Sequence, residues 1–305
     1  MEKYFILGKV IALIESREAV REMGRLAVAL KNCGIDCSIY SISICREAGK
    51  EAAACCWEAG MKADAFPWEA GMKAEACLWV TDSPSWAARI TQLDYPLLAY
   101  FHEGNRGCDF SMVRHGMESP GELAPDYLDK VYRRCAGIPW NIAETRRCRV
   151  RETVVEDVYS FRKIYEDPSV MQYTREQYPD TVREKEYVRA YIENQYGFYN
   201  FGVWTIVQKE SGTVIGRAGF SFRDGYEFPE LGYVIGRAWQ RQGIAFEVCG
   251  AVLEYGREEL GFTRVQTLVE TENTPSLNLC RKLGFRETEP VQEKGRSCIR
   301  LELVL

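Results

Sequence analysis

The most constraining stretch of this sequence is Glu230-Leu231-Gly232-Tyr233-Val234-Ile235-Gly236, which reads as a strand. It runs into Gln240-Arg241-Gln242-Gly243-Ile244-Ala245 and then into a helical pattern ending near Glu259. A glycine-bearing turn that opens a helix leaves several backbone N–H groups aimed at one point, and the helix N-terminus adds partial positive charge. Turns of this kind hold diphosphates without a lysine. Gly243 allows a phosphate to approach the backbone closely, and small Ala245 leaves the first helical turn uncrowded. By itself the pattern fits an ordinary strand-to-helix connection equally well, so its context decides.

Downstream, Arg264 to Glu270 reads as a strand, followed by Thr271-Glu272-Asn273-Thr274-Pro275-Ser276 and a helix to Leu283. Thr274 is the expected cap, Pro275 suits the first turn, and Gly284 suits the stop before Phe285 resumes a strand. Upstream, Cys148 to Glu152 alternates as a strand, and helices are expected over 156–167 and 181–194. A hairpin is expected from 202–207 and 214–220, joined at Glu210-Ser211-Gly212, because both arms are rich in β-branched residues.

This order resembles the GNAT acetyltransferase superfamily. Its pyrophosphate motif Q/R-x-x-G-x-G/A falls on Gln240, Gly243 and Ala245. Its second signature, N-x-x-S followed by K-x-G-F, falls on Asn273, Ser276, Lys282, Gly284 and Phe285. With the Glu230-Leu231-Gly232-Tyr233 strand, the sequence is most similar to the Rim-type subgroup, the ribosomal-protein N-terminal acetyltransferases. The resemblance extends from Arg147 to the end.

The resemblance implies an α/β (α+β) GNAT fold whose mixed sheet has six or seven strands. Its two central strands, here 230–235 and 264–270, splay apart to admit acetyl-CoA as cosubstrate. It further implies that main-chain groups of Tyr233, Val234 and Ile235 bind the pantetheine arm and polarise the thioester carbonyl. Gln240, Arg241, Gln242, Gly243, Ile244 and Ala245 would hold the pyrophosphate. Acetyl transfer needs a proton taken from the ammonium and benefits from stabilisation of the departing thiolate. Glu230 is the candidate for the first task, directly or through water, or else a solvated strand-end carboxylate. Ser276 is the candidate for the second, or else a helix cap. Asn273 would bond the pantetheine or a nearby backbone group. Many GNAT members carry a tyrosine seven residues after the motif asparagine; Cys280 stands there in this sequence and suits a small core residue beside the cofactor better than an acid.

The implied reaction is direct transfer of acetyl to a primary amine, on a small molecule or a protein N-terminus, in a ternary complex without an acetyl-cysteine. The alternative is a catalytically silent CoA-binding sensor or interaction protein, a reading that Cys280 favours and that Glu230, Asn273 and Ser276 oppose. In this superfamily the acceptor is set by the segments corresponding to 171–199 and 223–229. These are rich in tyrosine and carboxylate (Tyr173, Glu176, Tyr178, Glu184, Glu186, Tyr187, Tyr191 and Glu193; Asp224, Tyr226 and Glu227). They could form an aromatic, acidic mouth for a cationic amine, or a solvated helix face.

The chain is expected to divide into 1–143 and 144–305. In the first part strands (11–14, 37–44, 76–80, 96–101) alternate with helices (19–31, 86–90), the rhythm of a parallel, Rossmann-like α/β layer. Arg46 to Leu78 holds three copies of an 11-residue repeat, REAGKEAAACC, WEAGMKADAFP and WEAGMKAEACL, read as a helical insertion. Residues 109–143 read as a mainly helical linker. Asp82 and His102, just past two strands, give a faint similarity to haloacid-dehalogenase-like domains. The sequence TDSPSW at 81–86 lacks that family's Asp-x-Asp motif, so strand-end capping is the expected role of both residues.

A net charge of −5 and a pI near 5.4 give no electrostatic footprint for nucleic acid or anionic lipid. No stretch reaches the ~18 apolar residues of a membrane span and no secretory signal is evident, so a cytoplasmic protein is expected. Twelve scattered cysteines without a CxxC pair, and two histidines, imply reduced thiols and no metal site. A homodimer is compatible with this reading.

Overall fold

A computed structural model describes residues 6–41, 76–173 and 180–305. The repeat lies outside these residues except for its last three, and so do Glu176 and Tyr178. The chain forms two compact units that divide between Ile138 and Pro139.

The first unit comprises β1 (Lys9–Ile14), α1 (Arg17–Asn32), β2 (Asp36–Ser41), β3 (Cys77–Thr81), α2 (Pro84–Gln92), β4 (Leu97–Tyr100), β5 (Gly116–Met117) and α3 (Pro125–Cys135). The strands form one parallel sheet in the order β2-β1-β3-β4-β5. Parallel strands covered on both faces read as unbroken apolar runs. In β1, Val10, Ala12 and Ile14 join the core containing Met23, Leu26 and Leu30 of α1, while Ile11 and Leu13 join the core of Ala87 and Ile90 on α2. Asp82 is buried and accepts hydrogen bonds from the amides of Glu15 (2.6 Å) and Ser16 (2.9 Å), with His102 Nε2 at 3.2 Å. Capping of neighbouring strand ends is therefore its visible role. The expected linker over 109–143 is corrected by the fold: its one α-helix among the described residues is α3, and it also supplies β5 and a strand of the second sheet.

The second unit comprises β6 (Asn141–Glu144), β7 (Cys148–Arg151), α4 (Val158–Tyr165), α5 (Pro168–Met171), α6 (Thr181–Tyr191) continuing as a π-helix (Ile192–Tyr199), β8 (Val203–Gln208), β9 (Val214–Ser221), β10 (Glu230–Ile235), α7 (Ile244–Glu258), β11 (Arg264–Glu270), α8 (Thr274–Lys282), β12 (Arg286–Glu293) and β13 (Arg296–Val304). Its sheet has eight strands, not six or seven, in the order β12-β13-β11-β10-β9-β8-β7-β6. The sequence reading gave no range for β13 and missed β6. β6 is short, and only Ile142 within it is buried, so no alternation marked it out.

On one face of this sheet, Trp204, Phe220, Leu231, Ile235 and Val265 form a core with Ile244, Val248 and Val252 of α7 and Leu277 of α8. On the opposite face Arg217 of β9 places its guanidinium 4.7 Å from the ring centre of Phe161 on α4. Tyr165 hydrogen-bonds Arg217, and Tyr191 and Tyr196 lie nearby. Of the tyrosines expected to make an aromatic mouth, Tyr191 and Tyr187 lie near this cation. Tyr196 also donates to Val203 O (2.7 Å), and Tyr191 accepts from Val203 N (2.7 Å).

Candidate active site

Strands β10 and β11 are parallel neighbours that share one residue pair, Glu230 with Gln266. The outer ladders are continuous: all six residues of β10 pair with β9, and all seven of β11 pair with β13. The two strands therefore part immediately beyond Glu230. At the junction the amide of Gln266 donates to Pro229 O at 2.9 Å, and the buried Gln266 side chain donates to Phe228 O at 2.9 Å.

The antiparallel ladder determines which β10 amides face the gap. Gly236 N donates to Ile215 O at 2.8 Å, so 236 and 215 form a hydrogen-bonded pair. Alternation along the ladder makes 234/217 and 232/219 hydrogen-bonded pairs as well. The amides of Val234 and Gly232 are consequently spent on β9, while those of Tyr233 and Ile235 point to the open side. The sequence reading grouped all of 233–235 together; only this alternation separates Val234 from its neighbours. Ile235 O also faces the gap, where Gln240 Nε2 donates to it at 2.8 Å. The side chain of Gln240 thus braces the strand against the turn.

The turn itself winds through two left-handed residues, Arg241 (φ 58°) and Gly243 (φ 79°), before α7 starts at Ile244. A turn with left-handed residues of this kind can gather successive N–H groups into a concave nest. Among the described residues no protein acceptor is assigned to the amides from Arg241 to Ala245. They stand at the helix N-terminus, where an anion is favoured.

Arg147 completes the turn. Its Nη1 donates to Gln242 O (2.8 Å), its Nε donates to Glu247 Oε2 (2.8 Å), and its amide donates to Glu247 Oε1 (2.8 Å). Glu247 lies in the first turn of α7. Burial alone would raise its carboxyl, but hydrogen bonds from Thr145 and Arg147 outweigh this and hold it below the ordinary range. Sequence reasoning missed Arg147, which lies a hundred positions from its partner and matches no motif.

On the other arm of the gap, Asn273 rather than Thr274 caps α8: its Oδ1 accepts from Ser276 N at 3.2 Å. A side-chain amide oxygen can satisfy an orphan helix donor in this way, leaving Thr274 as the first helical residue. The hydroxyl of Tyr233 donates to Ser276 Oγ at 2.9 Å, bridging β10 and α8. Below them Cys280 is buried, and desolvation pushes its thiol up to about 11. Cys280 is therefore a neutral core thiol at neutral pH.

Glu230, at the junction, is nearly buried. Arg223 grips both of its carboxylate oxygens, through Nε to Oε2 and through Nη2 to Oε1 (3.0 Å). The same guanidinium reaches Glu293 at 2.8 Å, and its hydrogen bonding to Glu230, which accepts, is the main cause that raises the Arg223 pKa. Among the described residues no group of three His, Cys, Asp or Glu side chains converges as a metal site would require.

Residues 147–286 match the family described as "Acetyltransferase (GNAT) domain". Together with an opened parallel pair and an amide nest, this match makes the C-terminal unit an acyltransferase domain, and acetyl-CoA is its cosubstrate. More particularly, its residues 147–286 match an acetyltransferase domain of GNAT type. It is 28% identical over 142 residues to the uncharacterized N-acetyltransferase YnaD of Bacillus subtilis (strain 168), a match that spans 47% of this chain and 81% of that protein. It is 34% identical over 92 residues to the [ribosomal protein uS5]-alanine N-acetyltransferase of Escherichia coli (strain K12), covering 30% of this chain and 45% of that enzyme. Among solved structures, a putative ribosomal-protein-serine acetyltransferase from Vibrio cholerae matches with 20% identity and a TM-score of 0.46, over 54% of this chain and 98% of that one. No helix among the described residues is long and apolar enough to cross a membrane.

Proposed function

We propose that the C-terminal unit transfers acetyl from acetyl-CoA directly to a primary amine, on a small molecule or a protein N-terminus. The observation that carries this reading is the single-rung junction of β10 and β11, with the Tyr233 and Ile235 amides open beside the nest at 241–245. The cosubstrate supplies an activated acetyl thioester. The Tyr233 amide polarises the carbonyl, the Ile235 amide pairs with the pantetheine arm, and the turn amides hold the pyrophosphate.

Glu230 sits where the acceptor would meet the thioester. A carboxylate has about four lone-pair directions, and Arg223 occupies one on each oxygen, so each oxygen keeps another. We assign Glu230 to receive the ammonium proton through water, with Arg223 holding the carboxylate in place. Ser276 donates a hydrogen bond to the sulfur as it leaves. In the first unit, the parallel order β2-β1-β3-β4-β5 supports a Rossmann-like module that serves recognition or association.

The test is CoA release from acetyl-CoA with a panel of amines and N-terminal peptides. Glu230→Gln is expected to lower kcat about a hundredfold. Acetyl-CoA binding with no thiol release across a broad panel would replace the enzyme reading with that of a silent CoA sensor.

A further inference from the structure

We propose that Tyr233 is a positioning residue for the leaving sulfur: its hydroxyl donates to Ser276 and thereby aims the Ser276 proton into the gap. This rests on the acetyl-transfer reading above.

A free serine hydroxyl rotates among several staggered positions and meets a developing charge in only some of them. Here the phenol donates to Ser276 Oγ at 2.9 Å, occupying one lone pair and removing the orientation in which serine would donate back. The serine backbone is fixed as well, because Asn273 Oδ1 accepts its amide at 3.2 Å. Two polar anchors, one from each arm of the gap, thus hold one hydroxyl. The same residue presents its amide to the open side of β10, so strand and helix are registered to each other at one point.

The surroundings keep this arrangement in one protonation state. Burial raises the Tyr233 phenol above its ordinary range, and it therefore remains a donor at neutral pH. The titratable groups facing it are Cys280 and Cys249, both buried and both with raised thiol pKa values. Ser276 also hydrogen-bonds the Cys280 side chain, but a neutral thiol is a weak acceptor, so the departing thiolate is the stronger partner for the serine proton.

In the transfer itself the amine nitrogen forms a bond to the acetyl carbon as the carbon–sulfur bond breaks, and its electron pair stays on sulfur. Ser276 keeps its proton and stabilises that charge; the sulfur later takes a proton from water. Tyr233 does not ionise. It acts on the sulfur only through Ser276, at the end of the pocket where Cys280 replaces the tyrosine common in the superfamily.

The experiment uses the full chain with CoA itself, and reads the pKa of the bound CoA thiol from the pH dependence of its alkylation by iodoacetamide. The CoA adduct is resolved by mass spectrometry, and CoA affinity and thermal unfolding are measured in parallel. A hydrogen bond to a charged partner is worth about 1–2 kcal/mol, so Tyr233→Phe is expected to reduce the thiolate fraction about fivefold to thirtyfold at unchanged CoA affinity. Ser276→Ala should do the same, and the double variant should lose no more than either single one. A wild-type thiol titration in folded Tyr233→Phe, or additive losses, overturns the proposal. Should Tyr233→Phe fail to fold, 3-fluorotyrosine at 233 preserves the shape with a stronger donor; a raised thiolate fraction supports the proposal and an unchanged one overturns it. Failure of the wild-type protein to bind CoA would instead overturn the acetyl-transfer reading.

Discussion

The left-handed turn before α7 can be tested at one atom's cost. Gly243 sits at φ 79°, and a Cβ built there would meet only Arg147 Nη2 at 3.7 Å, an ordinary contact. Gly243→Ala therefore introduces no clash, and its penalty is conformational, about 1–2 kcal/mol for an L-residue held left-handed. That penalty can appear in two places. If the turn keeps its shape, the second unit loses this amount of folding stability and acetyl-CoA binds as before. If the turn relaxes, its amides move off the pyrophosphate, and affinity falls about fivefold to thirtyfold. Isothermal titration with acetyl-CoA and urea unfolding measure both. Gly250→Ala is the control: it lies within the same helix, a Cβ there meets nothing within 4 Å, and alanine should stabilise by about 1 kcal/mol without touching affinity. If Gly243→Ala changes neither affinity nor stability, the left-handed nest is not the cofactor's anchor.

Arg147→Ala removes the tie between Gln242 O and Glu247. Because the pair is partly exposed, the expected stability loss is only about 1 kcal/mol, whereas acetyl-CoA affinity should fall about threefold to tenfold; unchanged affinity would refute the positioning role. Glu247 titrates lower folded than unfolded, so its contribution is present above the ordinary glutamate range and lost as pH falls through the folded pKa. Glu247→Gln should thus be less stable than the parent at neutral pH and lose less on acidification, and parallel acid limbs in denaturant titrations would count against this. In the first unit, burial, with Arg134 and Arg114 nearby, lowers the His115 pKa to about 4. That unit should lose stability as pH falls from 6.5 toward 4, and an NMR titration midpoint of His115 near 6.5 would contradict the assignment.

Much of the second unit is legible because its local signals agree. β11 occupies the expected 264–270, where β-branched residues alternate, and α8 ends just before Gly284 at φ 96°. The first unit is readable where both faces of a strand are covered, as in the unbroken apolar run of β1. β5 and β6 have too few buried positions to show a period, and β13, though nine residues long, buries only Cys298 and Leu301, so none of the three is marked by alternation. The site divides along the same line. Glycine and asparagine at turns and caps announce themselves, since few residues satisfy those backbone demands. Arg147 with Glu247, Arg223 with Glu230 and Glu293, and Tyr233 with Ser276 are partners only in the fold. The distinction between Val234 and its neighbours is likewise a property of the ladder, which no composition reveals.

The junction at Glu230 and Gln266 leaves two strand edges facing each other inside the molecule, each satisfied only on its outer flank. Exposed edges elsewhere invite aggregation, yet here both unpaired edges belong to one sheet and face each other. On the proposed function, the pantetheine arm would act as a ninth, non-protein strand linking β12-β13-β11 to the remaining five. Hydrogen exchange at the Tyr233 and Ile235 amides should slow when CoA is added, while Val234, already committed to β9, changes little.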